Sequence, residues 1–122
     1  MASTVQSRKA RGRKLQQWVR DKIRTMFNLP DADVQSRSMG ASGTDIMLSA
    51  RAAHKFPFAI ECKNQQSLSL WAAWEQASQN VGDDMPFPLL IVKRNDQQPL
   101  AILDAELFIQ MCAALESHPV LS

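Results

Sequence analysis

Two stretches decide how this chain folds: Gly43-Thr44-Asp45-Ile46-Met47-Leu48 and Phe56-Pro57-Phe58-Ala59-Ile60-Glu61-Cys62-Lys63. Both have the length and alternation of β-strands. In the second, Phe56, Phe58, Ile60 and Cys62 point one way, and Pro57, Ala59, Glu61 and Lys63 the other. In the first, Ile46 and Leu48 share the apolar side, which leaves Asp45 with Met47 and Ser49. Read as an antiparallel hairpin, the pair is symmetric about residue 53, inside a connection over 50–55. That register predicts Asp45 opposite Glu61, with about 5 Å between their β-carbons. Two carboxylates and the Lys63 ammonium then converge on one face.

Upstream of this pair, residues 1–10 lack apolar periodicity and read as a flexible start. From Gly12 to about Asn28 the spacing turns helical, with Leu15, Trp18, Val19, Ile23, Met26 and Phe27 on one stripe. Pro30 ends that helix. Val34 to Met39 reads as a weak strand, joined to the next by the small residues Gly40-Ala41-Ser42-Gly43. Downstream, Ser67 to about Val81 reads as a helix with Leu70, Trp74, Ala77 and Val81 on one face, closed by Gly82-Asp83-Asp84. Pro88-Leu89-Leu90-Ile91-Val92 is apolar throughout, as in a strand buried on both faces. Leu100 to Leu103 gives a last short strand, and Asp104 caps a final helix to about Leu115. The order α-β-β-β-α-β-β-α predicts an α/β layer fold, with a mixed central sheet flanked by helices. One domain over 12–122 follows a basic arm over 1–11.

Composition limits the function classes. The 122 residues are enough for one domain, and 45% are hydrophobic, an ordinary globular share. No apolar run approaches the roughly 20 residues that span a bilayer. No secretory leader is visible, and two cysteines, Cys62 and Cys112, suit a reducing compartment. The expectation is a protein of the cytoplasm, away from membranes. The net charge of +2 hides an asymmetry. Residues 1–24 hold eight Lys or Arg against one acid, whereas the other 98 hold six against eleven. Arg8, Lys9, Arg11, Arg13 and Lys14 form the densest block, suited to contact with phosphate.

The paired carboxylates carry the chemistry. Close together they repel, and both ionise fully only with a cation between them. Oxygen donors with open positions suit Mg2+, which keeps waters and takes a phosphate oxygen from its substrate. Lys63 would direct a positive charge at the same place, towards an attacking water or a phosphate. The competing reading is a surface salt bridge among Asp45, Glu61 and Lys63.

Gly43-Thr44-Asp45, then Ile60-Glu61-Cys62-Lys63, then a helix with Trp74-Glu75-Gln76, resembles the PD-(D/E)XK nuclease superfamily. Within it the chain looks like the archaeal-type Holliday junction resolvases and their phage-encoded relatives, over residues 8–103. The resemblance implies a restriction-endonuclease-like core, α-β-β-β-α-β. It implies that Asp45 and Glu61 bind a divalent metal, Mg2+ or Mn2+, with the backbone carbonyl of Cys62 as a third ligand. Lys63 would be the catalytic lysine, and Gln76 the polar residue that orients the lysine or water. Ser38 or Ser42 would match a serine near the scissile phosphate. The chain departs from the pattern at two places. Thr44 stands where the motif has proline, and Gln16 where the first helix of the resolvases supplies a glutamate.

The function expected is therefore a metal-dependent DNA endonuclease, acting on branched DNA as a homodimer in a bacterial or phage-infected cell. The last helix and the tryptophans Trp71 and Trp74 are candidates for the dimer interface. The alternatives are another nuclease of the superfamily for repair, restriction or packaging, a DNA-binding relative without turnover, and a plain interaction domain. His54, His118 and Cys112 have no partner at metal-ligand spacing and read as bystanders, Cys112 as core.

Overall fold

The computed structural model describes residues 4–38 and 40–116; Met39, His118 and residues 1–3, read above from the sequence, lie outside them. Helix α1 runs over Val5–Phe27, so it begins well before Gly12. Thr4 caps it, its side chain accepting the Ser7 N–H at 3.0 Å. Gln, Arg, Lys and Ala are good helix formers, and they extend the helix through residues without apolar periodicity. The basic block is thus about two turns of helix with its cations spread around the axis, not an extended arm. Asn28 closes α1 in the left-handed conformation, φ 52°. Leu15, Gln16, Val19 and Ile23 are its buried residues. Trp18 and Met26, expected on the same stripe, are exposed.

After a 3-10 turn at Asp31–Asp33 come β1 (Val34–Ser36) and β2 (Ile46–Leu48), paired antiparallel with Gln35 opposite Met47. Ser49 caps a short helix, α2 (Ala50–Lys55), by accepting the Ala52 N–H at 3.1 Å. Strand β3 (Phe58–Asn64) follows, then α3 (Leu70–Ser78), β4 (Phe87–Lys93), β5 (Leu100–Ile102) and α4 (Ala105–Ala114). Strands β3 and β4 run parallel, with α3 as the crossover, and β5 adds antiparallel to β4. The fold is mixed α/β, a three-stranded mixed sheet flanked by helices, with β1–β2 as a separate pair.

Central β4 is buried on both faces, as its apolar run requires. Leu89 and Ile91 join Leu15, Val19, Ile23, Val34, Ile46, Phe58 and Ile60 in the main core under α1. Leu90 turns the other way, onto Ala73 and Ala77 of α3. The face of α3 that packs is therefore centred on Ala73 and Ala77, while Leu70 and Val81 stay exposed. Small residues let this helix approach the sheet closely. Helix α4 has no buried residue, although most of it is apolar. Cys112 is half-buried there, so it is not the core residue that its neighbours suggested.

Candidate active site at the edge of β3

The expected hairpin between β2 and β3 does not form. Residues 50–55 are helical, and no ladder joins the two strands among the described residues. Asp45 meets β3 by another route. Its backbone N–H donates to the Ile60 carbonyl at 2.9 Å, and its Oδ2 accepts the Cys62 N–H at 2.7 Å. Main chain and side chain of Asp45 thus bracket Glu61. The two carboxyls are close enough to perturb each other's ionisation.

Register places the second carboxylate. Glu61 pairs with Leu90 and shares its α3 face, whereas Ile60 and Cys62 turn to the α1 core. Glu61 is only 5% exposed. Its Oε1 lies 3.8 Å from Lys63 Nζ, and its Oε2 accepts from Asn80 Nδ2 at 3.2 Å. These groups line a cleft of about 440 Å³. Gln16 of α1, Gly40 to Gly43, and Gln76 and Gln79 of α3 complete its wall.

Burial raises the pKa of both carboxyls. Glu61 rises to about 7, through desolvation first and the neighbouring Asp45 charge second, with Lys63 opposing. Asp45 is also raised by burial, against the lowering effects of the Cys62 N–H and Lys63. Burial likewise pushes the Cys62 thiol up, so its sulfur is a neutral core group and no nucleophile.

The donor set is all oxygen. Cys62 points its N–H towards Asp45, and in a strand the carbonyl of the same residue faces the same edge. Asp45, Glu61 and that carbonyl are the groups able to hold a hard divalent cation. Among the described residues no group of three His, Cys, Asp or Glu side chains forms a larger metal cluster. Gln16, 4% exposed, sits in the wall as a neutral amide.

Of the residues singled out in the sequence, Asp45, Glu61, Cys62, Lys63, Gln76, Ser42 and Gln16 come together here. Ser38 does not line the cleft, and its carbonyl accepts the Ala41 N–H at 3.1 Å. Arg8, Lys9, Arg11, Arg13 and Lys14 also stay outside it, on α1. Two participants escaped the sequence reading. Asn80 lies beyond the helix that presents Gln76, and no motif marks it. Arg37 holds the loop before Asp45: its N–H donates to the Asp45 carbonyl at 2.8 Å and its Nε to the Thr44 carbonyl at 2.6 Å. Gly43, at φ 100°, lets the guanidinium pass so closely that a β-carbon there would lie 3.1 Å from Arg37 Cζ.

No family model, curated protein or solved structure matches this chain. Among the described residues, no helix is long and apolar enough to cross a membrane.

Proposed function

We propose that this chain is a divalent-metal-dependent DNA endonuclease with a restriction-endonuclease-like core, most specifically a resolvase of branched DNA. One observation carries the reading: Asp45 and Glu61 share a cleft with Lys63 at 3.8 Å from Glu61. A plain salt-bridge network would set Lys63 beside buried Glu61 and half-buried Asp45, with Arg37 also acting on Asp45, yet both carboxyls stay raised, Glu61 to about 7. A site built to receive a further positive charge accounts for that imbalance.

Asp45, Glu61 and the Cys62 carbonyl would hold Mg2+ or Mn2+. Bound there, the metal would polarise the phosphoryl group, lower the pKa of a coordinated water and neutralise developing charge. The chain's own residues do the rest. Lys63 holds the water or a phosphate oxygen against the scissile bond. Asn80 fixes Glu61 by donating to Oε2, which leaves Oε1 facing the ammonium. Gln76, exposed on α3, orients the water or Lys63, and Ser42 lies where a phosphate would enter. The basic N-terminal turns of α1 draw in the polyanion. The apolar, unburied α4 supplies the interface of a two-fold dimer, which symmetric cutting of a junction requires.

Gln16 favours a second reading, a DNA-binding relative without turnover, because a neutral amide occupies a wall of the site. Incubation with a labelled four-way junction and a matching linear duplex, each in Mg2+ and in EDTA, separates the readings. Paired, metal-dependent nicks confined to the junction support a resolvase. Equal cutting of both substrates keeps a nuclease of another kind, for repair, restriction or packaging. Binding without cutting leaves the idle relative.

A further inference from the structure

A second cavity, of about 680 Å³, lies between α1 and the turn that joins β4 to β5. It is larger than the carboxylate cleft and within the range of ligand pockets. Helix α1 contributes Arg11, Lys14 and Trp18, and Lys93 ends β4 on the opposite side. Against these three cations the wall carries one acid, Asp96. Trp18 is 43% exposed although it lies one residue from buried Val19. Lys22 Nζ sits 5.6 Å over its ring, which adds positive charge beside an aromatic face. The walls are fixed before any ligand arrives. Asn64 Nδ2 donates to the Arg11 carbonyl at 3.2 Å and ties α1 to β3, while the Gln65 N–H donates to the Lys93 carbonyl at 2.9 Å.

Cations around an accessible indole match a nucleotide with its base unstacked: the ring takes the base, the cations take the phosphates. In paired duplex the base faces are covered by their neighbours, so a site of this kind would favour an unpaired strand. Asn64 lines it and follows Lys63 directly in the chain, so the two sites lie on either side of the same end of β3. The geometry points to a subsite for an unpaired nucleotide of a DNA strand, with the base against Trp18 and its phosphates against Arg11, Lys14 and Lys93. The assignment rests on the nuclease reading for its relevance to a reaction, because continuous stacking is interrupted at a branch point, where a nucleotide beside the bond to be cut can leave the stack. It does not rest on metal binding.

Fluorescence anisotropy in EDTA provides the test, with fluorescein-labelled oligothymidylate, an abasic strand of equal length and the corresponding duplex. The intact protein should bind oligothymidylate at least about tenfold more tightly than the abasic strand, the size of a single stacking contact. Trp18→Ala should bring the two ligands to equal affinity, and Trp18→Phe should keep most of the difference. Equal binding of the two strands by the intact protein would overturn the proposal, as would full discrimination by folded Trp18→Ala. The first comparison needs no variant, so a folding defect cannot obscure it. Because no metal is present, a stacking preference without cleavage in Mg2+ would uphold the subsite and reject the nuclease. Cleavage without the preference would do the reverse.

Discussion

The carboxylate of Asp45 is held by the backbone of Cys62, 2.7 Å from its N–H, and this bond, with the one from the Asp45 N–H to the Ile60 carbonyl, brings together the two acids of the cleft. It orients Asp45 beside Glu61 without any β-ladder between their strands. The bond favours the charged form of Asp45, yet burial outweighs it and the pKa is raised. Much of the site's behaviour should follow from that tension.

Stability without metal should fall as the pH rises. Glu61 has its pKa raised from an ordinary 4.5 to about 7, so the folded state binds its proton more tightly than the unfolded chain. The resulting stabilisation is complete below about 4.5 and is lost as the pH climbs through 7. Thermal melting in EDTA from pH 5 to pH 8 should show this decline, and Glu61→Gln should flatten it. Adding Mg2+ at pH 8 should restore stability to the intact protein alone. A wild-type profile that is level across this range would contradict the burial of the pair. Glu61→Gln should also abolish cleavage while leaving DNA binding intact or tighter.

Lys63→Met should lower single-turnover cleavage by about 10²–10³-fold, the usual cost of one preorganised donor at developing charge. It also removes the ammonium 3.8 Å from Glu61, so the Glu61 pKa should climb further and the pH profile of cleavage should shift upward. Rates measured over pH 6 to 9 would reveal both effects. A purely structural Lys63 would leave the profile where it was.

Arg37→Ala should destabilise the fold by about 1.5–3 kcal/mol, the range for a hydrogen bond from a charged group. The guanidinium bonds the Thr44 carbonyl at 2.6 Å and packs against Gly43, so the loop beside Asp45 loses its brace. Urea unfolding measures the loss. Cleavage should drop further than folding alone explains, because Asp45 no longer holds its place.

Neutralising Arg8, Lys9, Arg11, Arg13 and Lys14 together should flatten the salt dependence of DNA binding. Each phosphate contact removed takes about 0.9 from the slope of log K against log salt on duplex. Titrations at several salt concentrations would show it, and an unchanged slope would remove α1 from the DNA interface.

Helix α4 is apolar yet has no buried residue, which a helix of that composition rarely tolerates in isolation. Ile109, 65% exposed, and Phe108 beside it make an adhesive face. Sedimentation equilibrium should find a dimer, and Ile109→Glu should convert it to monomer without loss of helix content. A wild-type monomer at micromolar concentration would reject α4 as an interface. Trp71, 79% exposed on α3, offers a second apolar surface for the same measurement.

The order of the main elements was legible in the sequence, because strand alternation and helix spacing are local properties. Pro88–Val92 announced a strand buried on both faces, and Leu90 and Ile91 do turn to opposite cores. The start of α1 was not legible. Residues 5–11 lack a periodic apolar stripe, so only the Thr4 cap and intrinsic propensity reveal that they are helical. Trp18 looked like core for a related reason: helical spacing places it near the buried stripe, but the width of that stripe depends on what packs against it.

The sequence by itself determined that Asp45, Glu61 and Lys63 would lie on strands or at their ends, with Glu61 and Lys63 on the same face of β3, since side chains alternate along any strand. Only the tertiary structure decided how Asp45 reaches them. Residues 50–55 coil into α2, so the chain returns to β3 without a tight turn, and the contact is made by one backbone bond to Ile60 and one side-chain bond to Cys62. Asn80 and Arg37 entered the site in the same way, through long-range contacts that leave no mark on local spacing. Periodicity records which way a side chain points from its own element; which other element stands opposite is settled by how the core packs.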